Sequence, residues 1–242
     1  MTSDAAQVLE KVRAALRSTP HIDLRTHPIE MTYADGTLTL EGEVPNVAAK
    51  KLALEHAAAL PEVSGILDRL RVRPAQPMGD REIRNHVRDA LLQDPAFGEF
   101  ALRERTGSGC SVIRMPVQVR GEIEIDVQDG VVTLNGRVPG LDDKRLVGVL
   151  AWWVPGSRDV INGIAVDPPE EDSDDAIAEA TRLALEKDPF VNAGQIRVGV
   201  RRAVVTLIGS VTNEYERDMA EFDAWYVFGV DRVINNIGVL PG

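Results

Sequence analysis

Positive charge is concentrated in one short stretch of this otherwise acidic chain. Residues 100–121 carry one acidic side chain, Glu104, and four arginines, which are Arg103, Arg105, Arg114 and Arg120. A guanidinium group offers forked donors that match phosphate and carboxylate oxygens. The stretch is therefore a candidate contact site for an anionic group, although an extended hairpin or a mobile loop with solvated arginines explains the same pattern.

Three polar side chains recur at one spacing. Asp68, Asn162 and Asn235 each follow a glycine by 26 residues, and those glycines are Gly42, Gly136 and Gly209. Each polar residue falls where the alternation of a strand calls for an apolar side chain, so it needs a partner. Hydrogen bonding to the backbone at a helix-to-strand corner is the favoured role, and ligation of a cation is the alternative. The glycines are predicted to permit a bulge or a close approach of two backbones.

The other reactive side chains lack a catalytic or metal-binding arrangement. Cys110 follows Gly107-Ser108-Gly109, which is not the G-x-S-x-G order of a nucleophile elbow, and it has no recognisable histidine partner. None of the four histidines has the spacing of a metal site; they are His21, His27, His56 and His86. We therefore predict a protein with no enzymatic activity, no metal and no cofactor.

The three glycines mark three copies of one unit. The segments DGTLTLEGEVPN (35–46), DGVVTLNGRVPG (129–140) and RAVVTLIGSVTN (202–213) align without a gap. Such self-similarity indicates a repeat architecture. Thirty residues beyond each glycine, a valine ends a run of alternating apolar residues, at 66–72, 160–166 and 233–239. Alternation of this kind predicts a strand.

Each unit is predicted to start with one helix and to contain a second helix before its last strand. Apolar residues four apart lead to Pro20, Pro95 and Pro189 in the three copies. A proline cannot continue a helix, so the first helix should stop just before it. Asn46 and Asn213 suit the N-cap of the second helix, where Glu216 would complete a capping box in copy three and copy two has Gly140 instead.

The hairpin turns of the three copies differ in sequence. Asp35-Gly36 and Asp129-Gly130 suit a tight hairpin turn, because both pairs tolerate a positive φ. Arg202-Ala203 is a poorer choice, so the turn in copy three is expected to differ.

Trp152 and Trp225 share one position in the second helix, and we expect them to pack between helices or between units.

These elements predict an α+β protein of three tandem αββαβ two-layer sandwiches. Each sandwich should have a mixed three-stranded sheet packed under two helices. The units are predicted at 1–74, 79–168 and 173–242, and copy two contains about twenty extra residues near 100–120. Insertions in a repeat commonly form loops on one face and often serve binding.

Composition narrows the class of protein. The chain has 242 residues, with 27 basic and 38 acidic side chains and a net charge of −11. It therefore lacks the cationic surface that nucleic acids require. Its longest apolar run, 147–154, is eight residues and cannot cross a bilayer. The first residues lack the pattern of a secretory signal, so we expect a cytoplasmic location.

Two blocks of the repeat have a recognisable pattern. One is DG-V-T-L-x-G-x-V, and the other is the closing strand, which reads GVDRVINNIGV over 229–239 in copy three and is most divergent in copy one. Through these blocks the unit resembles the BON (bacterial OsmY and nodulation) domain family. The resemblance implies a non-catalytic module associated with phospholipid surfaces and with osmotic or envelope stress. In one cytoplasmic branch of the family it implies potassium binding.

We therefore expect a non-catalytic binding or attachment module. Its partner is predicted to be a phospholipid surface or another protein, with the insertion of copy two as the contact. A cytoplasmic potassium-responsive binding protein is one alternative. A protein–protein scaffold with no small ligand is the other.

Overall fold

A computed structural model of the chain describes residues 2–19, 21–107 and 109–240. The chain has two compact parts, Met1–Arg73 and Pro74–Gly242. The first part contains one repeat, and the second contains two. Pro20, at the predicted end of the first helix, and Ser108, in the segment before Cys110, lie outside the described residues.

Repeat one has the predicted order of elements. They are α1 (Thr2–Arg17), β1 (Ile29–Ala34), β2 (Thr37–Val44), α2 (Val47–Ala58) and β3 (Gly65–Val72). β1 is antiparallel to β2, and β3 is parallel to β2. Val12 and Leu16 of α1 are fully buried, as is Leu40 of β2, so the helices cover one face of the sheet.

Repeat two has the same order with additional strands. Its elements are α3 (Asp80–Gln93), β4 (Phe100–Thr106), β5 (Gly109–Arg114), β6 (Gly121–Gln128), β7 (Val131–Val138), α4 (Leu141–Trp152), β8 (Asp159–Asn162) and β9 (Ala165–Val166). β8 and β9 are both parallel to β7 and together form the predicted closing strand. That strand is interrupted between them at Gly163, where no side chain is present to pack.

Repeat three returns to the shorter form. It consists of α5 (Asp174–Lys187), β10 (Ile196–Arg201), β11 (Val204–Val211), α6 (Glu214–Tyr226) and β12 (Arg232–Val239). β10 is antiparallel to β11, and β12 is parallel to β11. The predicted α+β fold of three αββαβ units is confirmed. In repeat two the three expected strands, the last of them divided into β8 and β9, are joined by β4 and β5 of the insertion, so the sheet has six strands among the described residues.

The repeat glycines lie where two backbones approach closely. Each pairs with an isoleucine near the start of the preceding strand: Gly42 with Ile29, Gly136 with Ile123, and Gly209 with Ile196. A Cβ atom at Gly136 would lie 2.1 Å from the carbonyl oxygen of Glu122, and one at Gly209 would lie 2.0 Å from that of Gln195. No side chain is accommodated at such a distance, so this position requires glycine.

The hairpin turn of repeat three does not differ from the others, contrary to expectation. Arg202 and Ala203 have φ angles of 53° and 60°, close to the 53° and 76° of Asp129 and Gly130. The carboxylate of Asp174 compensates for the unsuitable residues, because it accepts both N–H groups of the turn at 2.7 and 2.9 Å. Asp80 does the same in repeat two, at 3.0 and 2.8 Å.

The predicted helix caps form, with two differences. Asn46 and Asn213 accept hydrogen bonds from the N–H groups of Ala49 and Glu216 at the starts of α2 and α6. Glu216 does not return the bond to Asn213; its carboxylate accepts the N–H groups of Thr212 and Asn192 instead. At the start of α4, where Gly140 has no side chain, the Glu170 carboxylate accepts from the N–H of Leu141 at 2.8 Å.

We expect Gly209→Ala to lower the free energy of unfolding by about 2 kcal/mol or more, since the added Cβ would collide with backbone rather than with a flexible side chain. Urea unfolding of the full chain measures the effect. Gly199→Ala is the matched control, because a Cβ at that strand position meets nothing within 4 Å, and it should change stability by less than about 0.5 kcal/mol. Equal effects of the two substitutions would contradict the close-approach explanation.

Candidate functional site

The insertion of repeat two extends the sheet at the edge formed by β6. β4 lies parallel to β6, and β5 turns back antiparallel to β4. Phe100 and Leu102 of β4 are fully buried, and the Phe100 ring meets that of Phe97 edge to face at 5.3 Å. The insertion is thus a hairpin whose first strand belongs to the core of the repeat.

Two of the four candidate arginines lie on the sheet face opposite the helices. Arg105 pairs with Glu124 of β6, with 2.9 Å between nitrogen and oxygen, and Arg103 approaches Glu122 at 3.7 Å. Partial burial raises the pKa of Glu124, but the hydrogen bonds from Arg105 and Cys110 and the charges of both arginines together outweigh it, so the pKa is lowered. These arginines therefore join the added strand to the repeat through cross-strand ion pairs.

The other two candidate arginines lie at the opposite end of the hairpin, near Phe100. Arg114 donates hydrogen bonds to the backbone carbonyls of Phe97 and Phe100, and burial lowers the pKa of its guanidinium. Arg120 pairs with Asp143 at 3.0 Å and stands 5.5 Å from the centre of the Phe100 ring. Its side chain is nevertheless 49% exposed, so of this second pair Arg120 is the one accessible to an external anion.

The connection between β5 and β6 exposes apolar side chains next to Arg120. Met115 and Val119 are about half exposed, and Val117 is fully exposed, with relative exposures of 53%, 47% and 104%. We call residues 115–119 the apolar segment. Sequence reasoning concentrated on the arginines and missed it, because three apolar residues spaced by Pro116 and Gln118 do not stand out without knowledge of their exposure.

A surface cleft of about 590 Å³ adjoins the apolar segment. Its lining consists of Val119, Arg120, Gly121, Glu122, Gly136, Arg137, Val138 and Asp167. Arg137 is 69% exposed and pairs with Asp167 at 3.0 Å. The cleft therefore brings a repeat glycine and two accessible arginines to one place, with carboxylates that balance part of their charge.

The recurrent polar residues connect the last strand of a repeat to its second helix. The amide nitrogen of Asn162 donates to the carbonyl of Lys144 at 2.8 Å, and that of Asn235 donates to the carbonyl of Arg217 at 3.2 Å. Each amide oxygen accepts the backbone N–H two residues further along its strand. These contacts engage the oxygens that a cation would need.

Repeat one makes the same connection with charged groups. Asp68 replaces the asparagine, and its carboxylate accepts the N–H of Leu70 at 2.9 Å. Its other oxygen pairs at 2.9 Å with the ammonium of Lys50, which is buried and occupies the helix position of Lys144 and Arg217. The last strand is therefore connected to the second helix in all three repeats, by an ion pair in repeat one and by amide hydrogen bonds in repeats two and three.

Cys110 has the surroundings of a protonated thiol. It is exposed on β5, and its sulfur donates a hydrogen bond to the Glu124 carboxylate at 3.3 Å. The hydrogen bond to this neighbouring carboxylate raises the pKa of the thiol, which disfavours the nucleophilic thiolate. Within the described residues, no cluster of three or more His, Cys, Asp or Glu side chains could hold a metal ion.

Repeats two and three pack against each other through the second helix of repeat two, α4, and both helices of repeat three, α5 and α6. The ring of Trp152 stacks on that of Tyr226 at 5.6 Å, and Trp225 is buried. Both tryptophans thus lie in packed positions, as expected from the sequence. Arg145, with 1% of its side chain exposed, donates to the Phe228 carbonyl at 3.0 Å and pairs with Asp172. A buried guanidinium with these partners fixes the position of one repeat on the other.

A buried carboxyl group in the same junction has a strongly shifted pKa. Burial, with a contribution from the nearby charge of Asp188, raises the pKa of Asp223 to about 8, although the hydrogen bond from the Trp153 indole at 2.8 Å acts in the opposite direction. Such groups often mark active sites. Asp223 and Asp188 expose only 2% and 8% of their surface, so this pair is enclosed between the repeats.

Comparison with known proteins identifies the family. The model of the BON domain matches residues 4–74, 117–168 and 173–241, and the chain belongs to this family. The family indicates a non-catalytic binding module. No curated protein matches the chain. Among the described residues, no helix is long and apolar enough to cross a membrane.

Solved structures that match the chain include two of CdsD, a structural protein of the Type III secretion system of Chlamydia trachomatis. The C-terminal domain of CdsD is 15% identical, with a TM-score of 0.25, over 97% of this chain and 98% of that one. The second structure is 16% identical, with a TM-score of 0.26, over 98% and 93% of the two chains.

We expect Asp223→Asn to stabilise the protein at pH 8, by about 1–3 kcal/mol, and to have a smaller effect near pH 5. Below about pH 4 the carboxyl group of Asp223 is protonated in both the folded and the unfolded protein. Between about pH 4 and 8 this group loses its proton in the unfolded protein but keeps it in the folded protein. The free energy of unfolding of the parent therefore falls as the pH rises through this range. Asparagine removes this dependence and can still accept from Trp153.

Urea unfolding at pH 5, 6.5 and 8 tests this expectation. Asp218→Asn, on the same helix but with its side chain 51% exposed, is the matched control and should show no such pH dependence. A parallel pH profile for Asp223→Asn and the parent would show that Asp223 is not the buried proton-binding group.

Proposed function

We propose that the protein is a non-catalytic attachment module that binds anionic phospholipid surfaces through the apolar segment and the adjoining cleft of repeat two. The observation that carries the proposal is the exposure of Met115, Val117 and Val119 beside the accessible arginines Arg120 and Arg137. Apolar side chains flanked by cations are the combination that lies in a membrane interface. The proposed setting is the cytoplasmic face of a membrane, where anionic lipids attract basic groups.

The two arginines differ in how readily they can exchange partners. Arg137 and its partner Asp167 are both exposed, and surface ion pairs of this kind contribute only about 0–1 kcal/mol to stability. A lipid phosphate can therefore replace Asp167 at low cost and accept the same forked donors. Arg120 is about half exposed but its partner Asp143 is buried, so Arg120 keeps this ion pair and offers a phosphate the exposed part of its guanidinium.

The apolar segment must supply most of the affinity. The chain carries a net charge of −11, which repels an anionic surface as a whole, but this repulsion is screened beyond about 8 Å at physiological salt. Burial of three partly or fully exposed apolar side chains contributes roughly 3–6 kcal/mol. Binding should therefore depend on Met115, Val117 and Val119 more than on net charge.

Substitution is a sharper test than deletion, because the insertion also contributes buried Phe100 and Leu102. We expect the full chain to float with vesicles of phosphatidylglycerol and phosphatidylcholine. The variant Met115→Ser/Val117→Ser/Val119→Ser should be retained at least about fivefold less, since it loses the apolar contribution. Vesicles of phosphatidylcholine alone should retain both proteins poorly, because they offer no anionic lipid to the arginines.

The control is Leu67→Ser/Ile161→Ser/Leu240→Ser, which removes three comparably exposed apolar side chains elsewhere, with exposures of 46%, 50% and 56%. It should bind within about twofold of the parent, because these side chains lie outside the proposed contact. Equal retention of the apolar-segment variant and the parent would place the contact elsewhere. Failure of the parent to bind anionic vesicles would overturn the proposal and favour a protein partner.

A further inference from the structure

The first strand of the sheet has a different neighbour in repeats two and three. In repeat two, β6 is covered by β4, which lies parallel to it. In repeat three, β10 occupies the position of β6, and among the described strands it pairs with β11 alone. An unpaired strand edge presents backbone N–H and C=O groups that can accept another strand.

The exposure of the inward side chains reflects this difference. Ile125, where the pairing with β4 ends, and Val127, two residues further along β6, are 0% and 5% exposed. Their counterparts in repeat three, Val198 and Val200, are only partly buried. The outer face is open as well, because a Cβ atom at Gly199 would meet nothing within 4 Å. Repeat three therefore leaves uncovered the edge that repeat two covers with its own insertion.

Charge at one position of this edge is reversed between the two repeats. β4 brings Arg105 next to the acidic Glu124 of β6. In repeat three, Arg197 stands at the repeat position of Glu124, whereas the neutral Gln195 stands at that of Glu122. A strand that bound β10 as β4 binds β6 would therefore need an acidic side chain where β4 has Arg105.

The whole outer face of repeat three favours an acidic partner. Residues 169–242 contain 14 acidic and 7 basic side chains. The outward positions of its sheet, however, hold three arginines and no acidic residue: Arg197, Gly199, Arg201, Val204, Thr206, Ile208, Ser210, Arg232, Ile234, Asn236 and Gly238. Arg201 lies near Asp174, but that carboxylate is engaged by the N–H groups of the hairpin turn.

We infer that the β10 edge of repeat three binds an extended acidic peptide segment of a partner protein as an added strand. Its residues alternate: apolar side chains face inward over Val198 and Val200, and acidic side chains face Arg197 and Arg201. Backbone hydrogen bonds to the strand edge provide affinity, and the side-chain pairs set specificity. The equivalent edge of repeat one, where Glu30 replaces Arg197, should repel the same peptide.

The probe follows from the strand that covers β6. It is a fluorescein-labelled peptide of the β4 sequence, residues 100–106, with Arg103→Glu, Glu104→Val and Arg105→Glu, so that apolar side chains at positions 100, 102 and 104 alternate with the acidic ones. The control is the same peptide with Glu104→Val alone, which keeps both arginines. Titration of the full chain, followed by fluorescence anisotropy, should show that the acidic peptide binds about tenfold or more tightly than the control. Equal binding of the two peptides would overturn the inference.

Variants of the protein locate the site. Arg197→Glu/Arg201→Glu should weaken binding of the acidic peptide about tenfold or more, whereas Arg232→Glu, on the far strand of the same face, should weaken it less than about threefold. NMR amide shifts on binding should be largest at residues 196–201. Equal losses in the two variants, or shifts confined to other strands, would contradict an added strand at β10.

This inference is independent of the phospholipid proposal. The variant Met115→Ser/Val117→Ser/Val119→Ser should bind the acidic peptide as the parent does, because the apolar segment belongs to repeat two. A change in peptide binding in this variant would count against the assignment to β10. Conversely, failure of vesicle binding leaves the expected peptide result unchanged.

Discussion

An αββαβ sandwich covers one face of its sheet with helices and leaves the edge of its first strand unpaired. This unpaired edge is the constraint from which the distinctive features of the molecule follow. In repeat two this edge is paired within the chain, because β4 lies against β6 and buries Phe100 and Leu102. The return of the chain from β5 to β6 then exposes the apolar segment beside the cleft. Repeat three has no such insertion and presents the corresponding edge with arginines.

The three repeats keep the geometry of their backbones with different side chains. Asp174 and Asp80 hold the same turn although one turn contains Asp-Gly and the other Arg-Ala. Asn162 connects strand to helix with an amide, whereas Asp68 does so with an ion pair to Lys50. What is common is a set of backbone donors and acceptors that must be satisfied, and several residue types satisfy them.

Most of the fold could be predicted from the sequence, because the glycine spacing and the alternation of apolar residues repeat three times. The spacing of Gly42, Gly136 and Gly209 reflects a close approach that no other residue permits. The hairpin turn of repeat three could not be predicted locally, since the carboxylate that stabilises it lies 28 residues earlier in the chain. A hairpin was one of two structures predicted for the insertion, beside a mobile loop. The sequence did not decide between them, because Phe100, Ala101 and Leu102 are all buried and do not alternate.

The candidate site was predicted in part. The sequence drew attention to Arg103, Arg105, Arg114 and Arg120, but their partners come from β6, α4 and the backbone near Phe97. Net local charge therefore overstated how many of these cations are accessible. The buried Asp223 gave no signal at all, because its environment is created by the packing of repeats two and three. Properties that depend on contacts between distant segments need the structure.

Native-state hydrogen exchange, followed by NMR on the full chain, tests the role of the strand edge most directly. The account predicts that amides of β10 directed away from β11 exchange about tenfold or more faster than those at the same repeat positions in β6, which β4 protects. Equal protection of β6 and β10 would contradict it. The edge of repeat three would then already be occupied, and the difference between the repeats could not be the basis of their separate functions.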